Sequence, residues 1–169
     1  LKYRMNYKLL FISSHSSNNE IKIDNLINKK KLAYCVEFIR PTLDIKKLYE
    51  MSFLVINFSI KPEGFGRTVS EGLSMRRAVI APNFGGTNEQ LNSFNKNLLF
   101  DVDSYKSFKR SLDYVILNYK DIVKNSRSYV KKHYSSMLMC KKTLEIYPEH
   151  KKARKGLDNV TKQFLNAGN

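Results

Sequence analysis

The chain has 169 residues, of which 42% are hydrophobic and 27% are charged, a mixture that excludes a disordered chain and predicts one ordinary domain with a core. Thirty lysines and arginines against fifteen acidic residues give a formal charge of +15, which favours anionic partners without naming the anion. Because lysine is spread along the chain, solvated surfaces explain this charge as well as a nucleic-acid or membrane patch does.

Short apolar runs alternate with helical patterns over the first hundred residues, which is typical of repeated βα units. The predicted strands are Lys8–Ile12, Val36–Ile39, Leu54–Asn57, Ala78–Ala81 and Asn97–Phe100. The predicted crossover helices are Ile21–Asn28, Leu43–Met51 and Gly66–Met75, the last of them ended by Arg76 and Arg77. Runs such as "FLVINFS" and "AVIAP" are apolar on both faces, as strands between helix layers are. The predicted fold class is therefore α/β, with a doubly wound parallel sheet.

The pattern after Phe100 is helical. The predicted helices are Tyr105–Tyr119, Ile122–Tyr134, Met137–Tyr147 and Lys151–Leu165, with a break at Pro148. The segment "TLEIYPEHKKARKGLDNV" resembles the second half of a tetratricopeptide repeat, with matching residues Leu144, Pro148, Ala153 and Leu157. An ordinary helical hairpin packed on the sheet explains this segment equally well.

The segment "KPEGFGRTVSEGLSMRRAVIAPNFGGTNEQL" carries the clearest chemical signal of the chain. If a strand ends before it and a helix begins near Gly66, the backbone amides of Gly64 and Gly66 stay uncovered at a positive helix end, where an anion is expected. Glu71 would lie one to two turns inside that helix, where it can accept hydrogen bonds from vicinal hydroxyls such as those of a ribose. Glu63 would stay in the loop. Two carboxylates with an anion site between them match the shape of a sugar nucleotide.

A second glycine turn, "NFGGTNE", follows the strand Ala78–Ala81 and places Gly85 and Gly86 before a short helix. Thr87 or Asn88 is the predicted N-cap of that helix, and the exposed amides of the turn could hold a sugar or a distal phosphate. Tight turning explains either glycine turn alone about as well, and acidic residues also complement a helix N-terminus. The presence of both turns favours a ligand site.

From about Lys8 to Asn118 the sequence resembles the retaining GT-B glycosyltransferases of family 4, whose donor site is marked by a Glu, seven residues and a second Glu. The segment "VEFIRPTLDIKKLYEMSFLVINFS" is similar to the strand, helix and strand before this motif, and "APNFGGTNEQL" is similar to the segment after it. The resemblance implies a nucleotide-sugar-binding, Rossmann-like domain over residues 1–118, incomplete at its N-terminus. Residues 119–169 are predicted to form a helical extension, either repeat-like or an ordinary helical hairpin.

The resemblance also implies roles for individual residues. Glu63 would be the catalytic residue that contacts the transferred sugar, and Glu71 would hold the ribose of the nucleotide. Gly64, Phe65 and Gly66 would present amides to the sugar, Arg67, Thr68 and Val69 would approach the phosphates, and Gly85 and Gly86 would complete the donor site. Transfer would retain the anomeric configuration and need no metal ion or other cofactor, because amides, the helix dipole and basic side chains would stabilise the diphosphate.

The chain departs from this family in two respects. An early Arg and Lys that neutralise the diphosphate, and an amino-terminal domain that binds the acceptor, have no counterpart in the sequence. Because residue 1 is Leu, we expect the chain to be a piece of a longer protein. Arg67 would replace the basic pair only in part, so we expect the isolated chain to bind donor weakly and not to transfer sugar.

The expected partners are a nucleotide sugar, a glycan or lipid-linked acceptor and the missing N-terminal domain. Cys35 and Cys140 lie far apart without metal-ligand spacing, which favours a reducing, cytoplasmic compartment. The run Leu9–Ile12 is too short for a signal peptide or a membrane span, and the basic charge leaves open a peripheral contact with the inner face of a membrane. No motif supports specific nucleic-acid binding. The alternative function is a non-catalytic interaction module derived from a truncated transferase with a repeat-like tail.

Overall fold

The computed structural model describes residues 7–12, 18–39 and 44–146. The chain divides into two compact units, Leu1–Leu48 and Tyr49–Asn169. All strand pairs in the described residues are parallel, and a helical segment follows the last strand. The predicted α/β class with parallel strands and a helical C-terminal segment is therefore confirmed.

The first unit contains one βαβ crossover. Strand β1, Leu9–Ile12, pairs in parallel with β2, Val36–Ile39, and helix α1, Asn18–Lys29, lies between them in the chain. Parallel neighbours require such a crossover because a tight turn cannot reverse the chain twice. The rings of Phe11 and Phe38 stack across the pair with their centroids 5.4 Å apart.

The second unit contains a three-stranded parallel sheet in the order β3, β4, β5. Helix α2, Ile45–Met51, precedes the sheet in the chain. The three strands are Leu54–Ile56, Ala78–Pro82 and Leu99–Phe100. Strand β4 is central and every residue in it is buried, as its continuous apolar sequence predicts. Because parallel strands share their direction, the loops after β3 and β4 lie at the same edge of the sheet.

Two helices follow from these loops and close the core. Helix α3, Arg67–Ser74, lies between β3 and β4 in the chain, and α4, Gly85–Asn95, lies between β4 and β5. A Cβ atom at Gly72 would lie 2.6 Å from Val79 Cγ2, so the glycine lets α3 pack closely on β4. Ten of the apolar core residues are at most 1% exposed: Val69, Leu73, Ala78, Val79, Ile80, Ala81, Leu91, Leu98, Phe100 and Val115.

The C-terminal helical region agrees with the predicted pair of helices Tyr105–Tyr119 and Ile122–Tyr134. The helical stretch α5 runs from Tyr105 to His133, and its backbone is not helical at Asn118 (φ −118°, ψ 18°), so two helices meet there at a kink. One stripe of α5 is buried on both sides of the kink: Ser107, Ser111, Val115, Ile122, Ser126 and Val130. The predicted domain boundary between residues 118 and 119 falls at this kink and stays a prediction.

Helix α6, Ser136–Ile146, matches the predicted helix that begins at Met137 and has no buried residue. The predicted helix Lys151–Leu165 and most of the tetratricopeptide-like positions lie outside the described residues, so the repeat resemblance stays a prediction. Among the helices that the structure describes, none is long and apolar enough to cross a membrane.

Candidate functional site

The two glycine turns predicted from the sequence pack directly on each other at the carboxyl ends of β3 and β4. The amide of Gly86 donates a hydrogen bond to the carbonyl oxygen of Glu63 at 2.8 Å. A Cβ atom at Gly86 would lie 2.5 to 2.7 Å from three backbone atoms of Phe65, and one at Gly85 (φ 58°) would lie 2.9 Å from the Glu63 carbonyl oxygen. These two glycines therefore allow the turn after β4 to contact the loop before α3.

This packing corrects two expectations about the second turn. The amide of Gly86 is buried and bonded to Glu63, so it does not face a ligand. The predicted cap at Thr87 or Asn88 is also wrong, because α4 already begins at Gly85 and its N-cap, Phe84, provides no side-chain hydrogen bond. The hydroxyl of Thr87 lies 2.8 Å from the Phe84 carbonyl oxygen and donates inside the turn.

The N-terminal end of α3 is free of any side-chain cap. Gly66 occupies the N-cap in the left-handed region (φ 74°, ψ 55°), and a Cβ atom there would lie 2.9 Å from Thr87 Cγ2, so only glycine fits. A helix start without a capping side chain presents its first amides and positive dipole end to an anion. Arg67 and Thr68 lie at this end, with the Arg67 side chain 83% exposed. Val69 is fully buried and its amide donates to Gly66, so it belongs to the core.

Gly64 is different from the other glycines of the site. No atom of the described chain lies within 4 Å of the position that its Cβ would take, and its φ is not in the left-handed region. Neither internal packing nor backbone conformation therefore requires glycine here. The residue leaves its backbone open to solvent, next to the half-exposed ring of Phe65, which packs edge-on against Tyr134.

The carboxylate of Glu63 is oriented by a buried asparagine. Asn57 Nδ2 donates to Glu63 Oε1 at 3.1 Å. The other groups of Asn57 are also engaged, because its Oδ1 accepts from the Ser59 amide at 2.8 Å and its own amide donates to the Ile80 carbonyl oxygen at 3.0 Å. Asn57 directly follows β3, so the sheet itself fixes the direction of this hydrogen bond.

The carboxylate of Glu71 has two partners. The Tyr49 hydroxyl donates to Oε2 at 2.9 Å, and the Arg67 guanidinium lies 3.1 Å from Oε1. Burial, and after it the hydrogen bond to Glu71, raises the pKa of the Tyr49 hydroxyl above its ordinary value, so this group remains a donor over the neutral range. The Glu71 side chain is 37% exposed, which leaves its carboxylate accessible to a ligand.

Gln90 of α4 anchors the loop that contains Gly64, Phe65 and Gly66 by hydrogen bonds. Its Nε2 donates to the carbonyl oxygens of Phe65 and Gly66, and the side chain is 1% exposed. The hydroxyl of Tyr129 in α5 donates to the Gln90 carbonyl oxygen at 2.8 Å. Two helices thus support the loop that carries Gly64, which restricts its motion.

The structure adds Asn57, Tyr49 and Gln90 to the residues predicted from the sequence. The sequence contained a local signal for Asn57, because this polar residue ends the apolar run "LVIN". Tyr49 lies 22 residues from Glu71 and Gln90 lies 25 residues from Phe65, so no local pattern could indicate either contact.

Within residues 7–12, 18–39 and 44–146, no group of three or more His, Cys, Asp or Glu side chains could hold a metal ion. The expectation that no metal takes part stays a prediction.

The chain is similar in sequence and in fold to known glycosyltransferases. The sequence model of the family described as Glycosyl transferases group 1 matches residues 1–133. Comparison with curated protein sequences finds no match. Among solved structures, a glycosyltransferase from Rickettsia africae ESF-5 is 31% identical with a TM-score of 0.76, over 85% of this chain and 40% of that protein.

Two further structures share the fold at lower identity. Anabaena Alr3699/HepE, solved in complex with UDP, has a TM-score of 0.73 at 18% identity, over 84% of this chain and 41% of that protein. The C-terminal domain of the group 1 family protein LpcC from Francisella tularensis has a TM-score of 0.61 at 22% identity, over 70% of this chain and 64% of that chain. The chain spans about two fifths of the length of the first two proteins. Because the family model matches residues 1–133 of 169, the chain belongs to the group 1 glycosyl transferases.

Proposed function

We propose that the chain is the donor-binding part of a retaining glycosyltransferase that transfers a sugar from a nucleoside diphosphate sugar to a glycan or glycoconjugate acceptor. One observation carries the proposal. Glu63 and Glu71 lie on either side of the uncapped start of α3, and each carboxylate accepts a hydrogen bond from a buried side chain, Asn57 or Tyr49. A surface acid without a ligand needs no such orientation, whereas a binding site gains affinity from it.

Glu71 is the group proposed to hold the ribose. Tyr49 orients Oε2, so Oε1 remains for a ligand whenever Arg67 moves away. The Arg67–Glu71 ion pair is an exposed contact between residues one helical turn apart, and such pairs contribute little to stability. Ribose hydroxyls can replace the guanidinium on Glu71, and this frees Arg67 to approach the diphosphate.

The diphosphate is proposed to lie at the N-terminal end of α3. This end combines a positive dipole, amides without a side-chain cap and the exposed Arg67, which are the features that bind phosphates in other helix starts. Gly64 leaves a path for the ligand to the backbone, because no protein atom occupies the space beside it. UDP bound to Anabaena HepE, and UDP-glucose bound to the same protein, support a uridine nucleotide as the first one to test.

Glu63 is proposed to act on the sugar end of the donor, with retention of configuration. Asn57 donates to Oε1, so the second carboxylate oxygen is available to the sugar. Amides, the helix dipole and Arg67 would stabilise the leaving diphosphate without a metal ion. Arg67, the first residue of α3, is a basic side chain at this helix end, and it is mostly exposed. We therefore expect the isolated chain to bind donor without transferring sugar until a second domain supplies the acceptor site.

The remaining partners follow from this assignment. A glycan or lipid-linked acceptor would bind across the cleft from the donor, on a second domain, and a cytoplasmic location with a peripheral membrane contact would suit a lipid-linked acceptor. These partners are proposals that rest on the family and not on a contact in the described residues.

Calorimetric titration of the chain with UDP and GDP tests the ribose assignment. A carboxylate hydrogen bond contributes about 1.5–3 kcal/mol, so Glu71→Ala should weaken binding by roughly tenfold or more. Glu145→Ala in α6 is the matched control, because Glu145 is exposed and distant in sequence from the motif.

Long-range electrostatics alone would make Glu71→Ala bind the nucleotide more tightly, not more weakly. Removing an acid from a basic protein should strengthen the binding of an anionic nucleotide, and Glu145→Ala should show no more than this effect. Weaker binding for Glu71→Ala alone therefore identifies direct contact. If the folded wild-type chain bound neither nucleotide, the proposal would fail and the non-catalytic interaction module would be favoured.

A further inference from the structure

The C-terminal end of α3 carries an arginine in a backbone conformation that favours glycine. After Ser74 the chain forms a Schellman turn, in which the Arg77 amide donates to the Gly72 carbonyl oxygen at 3.0 Å and the Arg76 amide donates to that of Leu73 at 3.1 Å. Arg76 occupies the left-handed position of this turn with φ 55°. Glycine is usual at this position because it has no Cβ, and a longer side chain held in this disfavoured conformation points to a function for it.

Arg76 lies beside a hollow on the surface of the second unit. The hollow has a volume of about 410 Å³ and is lined by Arg76, Lys120, Val123 and Lys124. Lys120 and Lys124 are four residues apart on α5, so they share one face of that helix. The lining contains three cations, one apolar side chain and no acid.

None of these three cations has a partner in the described part of the chain. Asp121 is next to Lys120 in sequence but does not line the hollow. The chain does form ion pairs where an acid is near, as in Lys109–Asp113 on the same helix. Three unpaired positive charges around one concave surface repel one another, and an anion in the hollow would remove that repulsion.

The hollow is separate from the proposed donor site. Gly64 and Gly66 lie at the N-terminal end of α3 and Arg76 lies beyond its C-terminal end, and the eight residues of the helix rise by about 12 Å. An anion bound by Arg76 is therefore not the diphosphate of a donor held at the glycine loop.

We propose that Arg76, Lys120 and Lys124 form a second anion site, which binds a phosphate group. A guanidinium matches two phosphate oxygens at once, and the two ammonium groups act as point charges on the third. A phosphate carries more charge and more terminal oxygens than a carboxylate does, so it satisfies three cations better. The phosphate can belong to a lipid headgroup or to a free phosphate compound, and the experiment below separates these sources. The proposal does not rest on the proposed function.

The test compares two triple variants of the whole chain that lose the same charge. Arg76→Gln/Lys120→Gln/Lys124→Gln removes the site, and Lys96→Gln/Lys132→Gln/Lys142→Gln removes three exposed lysines elsewhere in the described residues. One arm titrates pyrophosphate and follows backbone amide shifts by NMR. The other arm measures co-sedimentation with vesicles of phosphatidylcholine with and without phosphatidylglycerol.

In at least one arm the site variant should bind at least tenfold more weakly, while the control variant should change by less than twofold. Loss with pyrophosphate identifies a free phosphate ligand, and loss only with phosphatidylglycerol vesicles identifies a lipid headgroup. The charge-conserving Lys120→Arg/Lys124→Arg variant should bind like the wild type, because the positive charge at these two positions binds the anion. Equal weakening by both triple variants, or no binding of the wild type in either arm, would overturn the proposal.

Discussion

Two glycines of the candidate site should respond in opposite ways to the addition of one methyl group. At Gly86 the new Cβ would lie 2.5 to 2.7 Å from three backbone atoms of Phe65, far inside ordinary contact, and none of these atoms belongs to a side chain that can rotate away. Overpacking lowers the free energy of unfolding by about 1–3 kcal/mol when neighbours can adjust. Because these neighbours are backbone atoms, Gly86→Ala should lower it by about 2–3 kcal/mol. For a chain of this size, that loss lowers Tm by roughly 4–12 °C.

At Gly64 no atom of the described chain lies within 4 Å of the new Cβ. Gly64→Ala should therefore leave stability unchanged or raise it by about 0.4–1 kcal/mol, because alanine restricts the unfolded chain. If the ligand approaches the backbone there, the same methyl group should weaken UDP binding by about tenfold or more. The loss would come from a clash with ligand and not from a change in the fold.

Urea unfolding and calorimetric titration of both variants check this pair of results. The expected pattern is lower stability for Gly86→Ala and normal stability with weaker UDP binding for Gly64→Ala. Wild-type stability of Gly86→Ala would refute the proposed contact between the two turns. Wild-type UDP affinity of Gly64→Ala would show that the open space beside this residue does not receive the nucleotide.

Three other predictions address the carboxylate, the buried tyrosine and the helix end. In an active transferase that contains this chain, Glu63→Gln should lower kcat far more than it raises the donor KM, and a raised KM with intact kcat would leave Glu63 no catalytic role. The raised pKa of Tyr49 means that the folded chain keeps a proton that the unfolded chain releases above pH about 10. The free energy of unfolding should therefore fall as the pH rises above about 10, and it should fall less steeply in Tyr49→Phe than in the wild type. Urea unfolding at a series of pH values measures this, and an equal dependence on pH in the two proteins would contradict the prediction. Arg76→Gly should raise stability by roughly 0.5–1 kcal/mol by removing left-handed strain, and Arg76→Ala, which keeps the strain, should not.

Local patterns in the sequence determined the class of the fold and the position of the glycine turn before α3. Apolar runs on both faces predict buried parallel strands, and the predicted strands at residues 36–39, 54–57 and 78–81 match the observed ones within one residue. The glycine turn before α3 was predicted because a helix start and its flanking glycines are adjacent in the chain. The roles of Glu63 and Glu71 stay predictions, since position alone does not identify a ligand.

Only the tertiary structure decided which groups orient those two glutamates and how the glycine turns meet. Tyr49 and Glu71 are on different helices, and Gly86 and Glu63 are on loops that follow different strands. Such contacts depend on the packing of α3, α4 and β4, which no periodicity of 2 or 3.6 residues encodes. The hollow beside Arg76 also depends on tertiary packing, because its cations come from the end of α3 and the middle of α5. Sequence order places a residue on an element, and only packing brings two elements to one site.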